Sequence, residues 1–203
     1  MKEMLVNFVL DETGSMDSCR DATISGFNGY VRSLQEQSKR IRFTLIKFNG
    51  KRITVVCSDE DIRNVKELNR SSYIPTDATP LNDAVAYAIK EIENKLRERD
   101  ESPDVLCVIM TDGEENASQK YTTENIFNLI RLKQEEGWTF VYLGANQDAR
   151  TVGRSLGLRL EHVSGYNTAR TQQTFNQLSH MTQTYIDNGL INMMEDFDGT
   201  NKR

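Results

Sequence analysis

An acidic residue followed at alternate positions by two hydroxyls, Asp11-Glu12-Thr13-Gly14-Ser15, closes the first apolar run of this 203-residue chain. One carboxylate and two alcohol oxygens at that spacing are hard ligands for a hard divalent cation. Mg²⁺ prefers six oxygens near ~2.1 Å and gives up water reluctantly, so a few protein groups plus several waters suffice to hold it. Two later segments could complete such a site. One is residues 76–81, Thr-Asp-Ala-Thr-Pro-Leu; the other is Thr111-Asp112-Gly113, which follows the apolar run 105–110. Each segment also has a plainer reading. Residues 11–15 could cap the first helix, Thr79 could cap the next with Pro80 at its first position, and Asp112-Gly113 could be a simple turn.

Bringing these segments together requires strands that end side by side. Residues 4–10 read as a short buried strand, and Ile24, Phe27, Val31 and Leu34 mark an amphipathic helix over 17–37. Gly26 and Gly29 weaken that helix, which a close approach to the sheet would explain. A strand over 41–48 turns at Asn49-Gly50 into an antiparallel partner, 52–57. Ser58-Asp59-Glu60-Asp61 then reads as the cap of a short helix carrying Ile62, Val65 and Leu68. A long helix follows from Leu81, then a strand over 105–110, a helix with Ile126, Leu129 and Ile130, and a strand over 139–143. A short helix closing near Gly157, an edge strand over 158–163 and a last helix over 168–187 complete the order. Asn188-Gly189 is the expected stop. Strand and helix alternate apart from one hairpin. The fold class is therefore α/β, a doubly wound, mostly parallel sheet with one antiparallel edge strand and helices on both faces. Ligands of such sheets bind at the carboxyl ends of the strands.

Composition narrows the function. The net charge of −5 argues against nucleic acid, which favours a basic face. The longest strictly apolar run, 105–110, is too short to span a membrane. Cys19, Cys57 and Cys107 show no paired spacing and no disulfide framework, and Cys107 reads as a small core residue. The amino terminus has no cleavable leader pattern, so the expectation is a reduced, cytoplasmic protein. His162 and His180 are isolated and lack zinc-ligand spacing.

Taken together, the three oxygen-rich segments resemble the metal-ion-dependent adhesion site of von Willebrand factor A domains. The resemblance covers about residues 4–187 and implies one domain over 1–187 with a tail at 188–203. It implies a cation held by Asp11, Thr13, Ser15, Thr79 and Asp112. Thr13 departs from the family's usual Asp-x-Ser-x-Ser, keeping the hydroxyl and adding a methyl. In the family's geometry the residues matching Thr13 and Ser15 bind the ion directly, those matching Asp11 and Asp112 act largely through water, and Thr79 does either. Residues 142–149 also resemble a phrase of small stand-alone A-domain proteins of bacteria and phages.

The function that follows is a protein-binding module in which Mg²⁺ or Mn²⁺ recruits an Asp or Glu of a protein partner, with no nucleic acid and no membrane involved. An AAA-type ATPase or a multiprotein assembly is the partner class the family suggests. The alternative is a Mg²⁺-dependent phosphatase or phosphotransferase of the haloacid dehalogenase type, but that chemistry wants a second carboxylate where Thr13 stands. A G-x-S-x-G elbow and a phosphate-binding loop are both missing, so serine hydrolysis and NTP hydrolysis are not expected. The reading is of a protein without catalytic residues.

Overall fold

The computed structural model describes residues 2–100, 102–145 and 148–189. The expected tail beyond Gly189, and the expected turn at Asn146-Gln147, lie outside the described residues. Six strands are present among these: β1 (Met4–Asp11), β2 (Ile41–Asn49), β3 (Arg52–Asp61), β4 (Asp104–Thr111), β5 (Thr139–Ala145) and β6 (Val163–Tyr166). They form one sheet in the order β3-β2-β1-β4-β5-β6. Neighbours run parallel except β2 and β3, whose antiparallel register shifts twice, around Leu45. The expected architecture is the observed one.

Two apolar layers sandwich the sheet, and β1 shows why its sequence is almost continuously apolar. Met4, Val6, Phe8 and Leu10 pack on one face, against α1 (Arg20–Gln35) and α5 (Thr171–Asn188). Leu5 and Val9 pack on the other, against α2 (Leu81–Arg97) and α3 (Thr123–Glu135), with α4 (Ala149–Ser155) beyond. A strand covered on both sides cannot alternate apolar with polar residues. The one polar residue inside it, Asn7, donates from Nδ2 to the Ala88 carbonyl at 3.0 Å.

Three expectations need correction. The helix placed at 58–68 does not form: β3 continues to Asp61, which caps a single 3₁₀ turn, Ile62–Asn64, by accepting from the Arg63 amide. Val65 and Leu68 are buried, but from extended chain that Asn28 grips at both the Leu68 amide (2.7 Å) and carbonyl (2.9 Å). The edge strand lies at Val163–Tyr166 rather than 158–163, because a 3₁₀ turn at Leu160–His162 must first bring the chain alongside Tyr142–Ala145. The first helix starts at Arg20, since Gly14–Cys19 winds as a tighter 3₁₀ turn.

Gly26 does answer to a close approach, but to a helix rather than to the sheet. A Cβ there would lie 2.2 Å from Cδ2 of Phe175 in α5, whereas at Gly29 the nearest atom is a Gln172 nitrogen 4.0 Å away. Gly26→Ala should therefore push α5 off α1 and cost about 1–3 kcal/mol by overpacking. Gly29→Ala should instead stabilise the helix by about 0.5–1 kcal/mol. Urea unfolding of the two variants checks this; equal shifts of the same sign would contradict the packing described.

Candidate metal centre

β1 and β4 are neighbours, and the chain leaves β1 for β2 on the opposite side. Their carboxyl ends therefore open onto the crevice where strand order reverses. Asp11 is the last residue of β1 and Thr111 the last of β4. The Asp11 carboxylate accepts from the Thr13 amide at 2.7 Å through Oδ1 and from the Thr111 hydroxyl at 2.5 Å through Oδ2. Ser15 Oγ sits 3.3 Å from Thr13 Oγ1 and donates to Asp112 Oδ1 at 2.6 Å, across 97 residues of chain. Gly113 closes the group: a Cβ there would lie 2.8 Å from Thr79 Oγ1 and 3.6 Å from Ser15 Oγ. All five sequence-selected residues thus converge, from three loops.

The plainer readings can now be weighed. Thr13 precedes the first 3₁₀ turn, but its side chain makes no capping bond. Pro80, not Thr79, occupies the cap position of α2, again without a side-chain cap. That helix end is satisfied from the third loop instead: Glu115 accepts from the Asn82 amide at 2.7 Å, and Ser118 Oγ from the Asp83 amide at 3.0 Å. Asp83 in return accepts from the amides of residues 119, 120 and 121. Capping by neighbours leaves the hydroxyls of Thr13 and Thr79 free of a helix end. Glu115 and Ser118 thus each take one amide of that helix end. No local sequence pattern gives the Glu115 cap away, because the Asn82 amide lies 33 positions back.

The electrostatics suit a cation. Asp11 is fully buried, and burial raises its carboxyl to about 6 against the lowering effect of the Thr111 and Thr13 bonds; the Asp112 charge adds a smaller upward push. Asp112 is raised too, by burial first, with the Ser15 bond opposing. The Tyr166 hydroxyl feels the charges of Asp112 and Asp11 and is buried without a hydrogen-bond partner among the described residues. Two desolvated carboxylates, three neutral hydroxyls and an orphaned donor fit a divalent ion with bound water. Among the described residues no three His, Cys, Asp or Glu side chains gather to hold an ion.

A second layer, not legible in the sequence, holds the loops. Glu12 is buried beside Lys47 of β2, with Nζ 2.5 Å from Oε1. The same Oε1 accepts from the Ile74 amide at 2.8 Å, and Lys47 also donates to the Ser72 carbonyl. Backbone bonds continue the seam: Thr76 N to Glu12 O at 2.9 Å and Gly14 N to Asp77 O at 3.0 Å. The Tyr73 hydroxyl donates to the Asp11 carbonyl at 2.6 Å. The segment leading to Thr79 is thereby laced onto the first loop.

Comparison with known proteins bears on the family and the fold. A family model described as von Willebrand factor type A domain matches residues 6–184. No curated protein sequence matches the chain. Among solved structures, the pilus adhesin SpaC of Lactobacillus rhamnosus GG superposes with a TM-score of 0.67 at 11% identity, over 89% of this chain and 30% of that one. Manganese-loaded Plasmodium vivax TRAP protein gives 0.61 at 18% identity, over 85% and 71%. Proximal thread matrix protein 1 from the mussel byssus gives 0.60 at 14% identity, over 88% and 45%. At these identities the likeness shows the fold alone. The chain spans less than half the length of the first structures it resembles.

Lys47→Met leaves Glu12 charged and unpaired in the interior, which should destabilise the protein by about 3–5 kcal/mol. Adding Glu12→Gln should recover most of that loss. Denaturant unfolding of the single and double variants measures it, and additive losses would show that the pair is not coupled.

Proposed function

Since the chain belongs to the von Willebrand factor type A domain family, we propose that Asp11, Thr13, Ser15, Thr79 and Asp112 hold one Mg²⁺ or Mn²⁺. We further propose that this site recruits an Asp or Glu of a protein partner. The observation that carries the reading is the convergence of five oxygen-bearing side chains from three loops, with the helix end beside them capped by other residues. Bound there, the ion would supply an electrophilic coordination position for a carboxylate oxygen. Thr13, Ser15 and Thr79 offer neutral oxygens, which leave the ion's charge less compensated than carboxylates would. Asp11, already engaged on both oxygens, orients the first loop and water rather than occupying the ion's outer side. Ile74, half-exposed on the loop laced to Glu12, offers apolar surface to such a partner. In that partly desolvated contact the attraction between ion and carboxylate exceeds its value in water.

Phosphotransfer gains no support from the site. Residue 13 is a hydroxyl, not a carboxylate, and its near neighbour is Ser15 Oγ rather than an acid–base pair. The proposal extends to a cytoplasmic setting of bacterial or phage type and to a partner within a larger assembly, such as one built on an AAA-type ATPase. Among the described residues no helix is long and apolar enough to cross a membrane.

Calorimetry with Mn²⁺ should give one site, lost in Asp112→Ala and Thr13→Val and kept in Thr13→Ser, with circular dichroism unchanged throughout. Gly113→Ala should weaken the ion as well, because its methyl would displace the Thr79 hydroxyl. Full binding by Thr13→Val would remove Thr13 from the site. Pull-downs from the native host in Mg²⁺ and in EDTA, with wild type and Asp112→Ala, should recover a partner only for wild type with metal. A partner captured equally in EDTA would refute metal-mediated recognition.

A turnover assay with a generic phosphoester and Mg²⁺ should show no activity above buffer. Activity abolished by Asp11→Asn would instead establish an enzyme.

A further inference from the structure

The amino edge of the sheet, opposite the candidate metal centre, carries a second concavity. It lies where α3 ends and the turn after α4 passes, and encloses about 400 Å³. Arg131, Arg154 and Arg159 line it, with Phe127 and Leu158 as apolar surface and Glu135 as the single acidic group. Three guanidiniums against one carboxylate give a formal +2 in a chain whose net charge is −5.

Acidic residues outnumber basic ones, 30 to 25, and Arg32, Arg40, Arg42, Arg63, Arg70 and Arg99 all have ion-pair partners. Among the described residues neither Arg154 nor Arg159 forms an ion pair, although the charge of Arg154 is felt at Asp148. Arg131 approaches Glu135 no closer than 3.9 Å and lies over the Phe127 ring at 6.0 Å.

The walls are fixed by specific bonds. Gln134 donates to the Gly157 carbonyl at 2.8 Å and accepts from the Arg159 amide at 3.1 Å, tying the turn to α3. Gly157 adopts φ +76°, and a Cβ there would lie 2.7 Å from the Phe127 carbonyl oxygen. Only glycine permits both the backbone angle and this approach.

We propose that this concavity binds a phosphomonoester with an apolar substituent. A phosphomonoester carries about −1.5 to −2 charges at pH 7, which the local +2 complements. Guanidinium forks match its oxygens in pairs, and Arg keeps its charge at any working pH. The substituent lies on Phe127 and Leu158. The volume falls within the range of about 300–1,000 Å³ usual for small-molecule sites.

The test is titration with phenyl phosphate in EDTA, which keeps phosphate away from any cation at the other edge, read by calorimetry and amide chemical shifts. Saturable binding is expected, with shifts at residues 131, 154 and 159 and with inorganic phosphate about tenfold weaker, one apolar contact being worth ~1.4 kcal/mol. The Arg154→Gln/Arg159→Gln variant, changed only at exposed side chains, should lose about tenfold or more. Asp112→Ala should bind as wild type does. No saturation, an unchanged affinity in the double variant, or inorganic phosphate binding as tightly as phenyl phosphate would overturn the assignment.

Discussion

Everything at the carboxyl edge depends on one buried ion pair, Glu12 with Lys47. Two charges withdrawn from water are tolerable only when they satisfy each other and their remaining hydrogen-bonding capacity. Here the remainder is taken by backbone of the 72–74 segment, so the pair cannot form without drawing that segment down onto β1 and β2. The same contact that neutralises Glu12 therefore sets the height of the second loop. Thr79 inherits its position from a charge it never touches.

Division of labour among short polar side chains follows from this. Asp, Ser and Thr are the usual caps of helices, and a hydroxyl bonded to an amide is a poor ligand. In this domain the third loop supplies caps to α2 through Glu115 and Ser118, while α2 returns the favour through Asp83. Loops that terminate each other's backbone leave the Thr13 and Thr79 hydroxyls free of a helix end, while Ser15 turns its hydroxyl to Asp112. The arrangement also couples the second and third loops, since Asn116 accepts from the Thr79 amide at 2.8 Å.

The architecture was legible wherever burial imposed a pattern. β1 and β4 carry their environment in nearly unbroken apolar runs and α2 in its apolar spacing, and the oxygen-rich segments announce themselves at strand ends. The failures share a cause. Ile62, Val65 and Leu68 are buried at helical intervals, but a single 3₁₀ turn followed by chain held at Leu68 by Asn28 buries them equally well, and that anchor lies 40 residues from Leu68. The edge strand was displaced because its pairing partner, not its own composition, chooses the four residues that bond. Lys47 read as an ordinary strand residue, because nothing local marks a lysine whose partner is 35 positions away. Contacts that sequence distance hides are also those that set the site.

The two outer strands have a consequence for behaviour in a crowded solution. β3 is irregular, with register shifts around Leu45, a left-handed Asp59 at φ 51° and an acidic end at Asp59-Glu60-Asp61. β6 offers only four residues. A bulged, charged edge and a very short one are both poor templates for a further strand, whereas a long, flat, apolar edge would invite fibrous stacking. Geometry thus disfavours growth of the sheet at both ends. Copies held at high local concentration can stay separate, without their backbones fusing into a continuous ribbon.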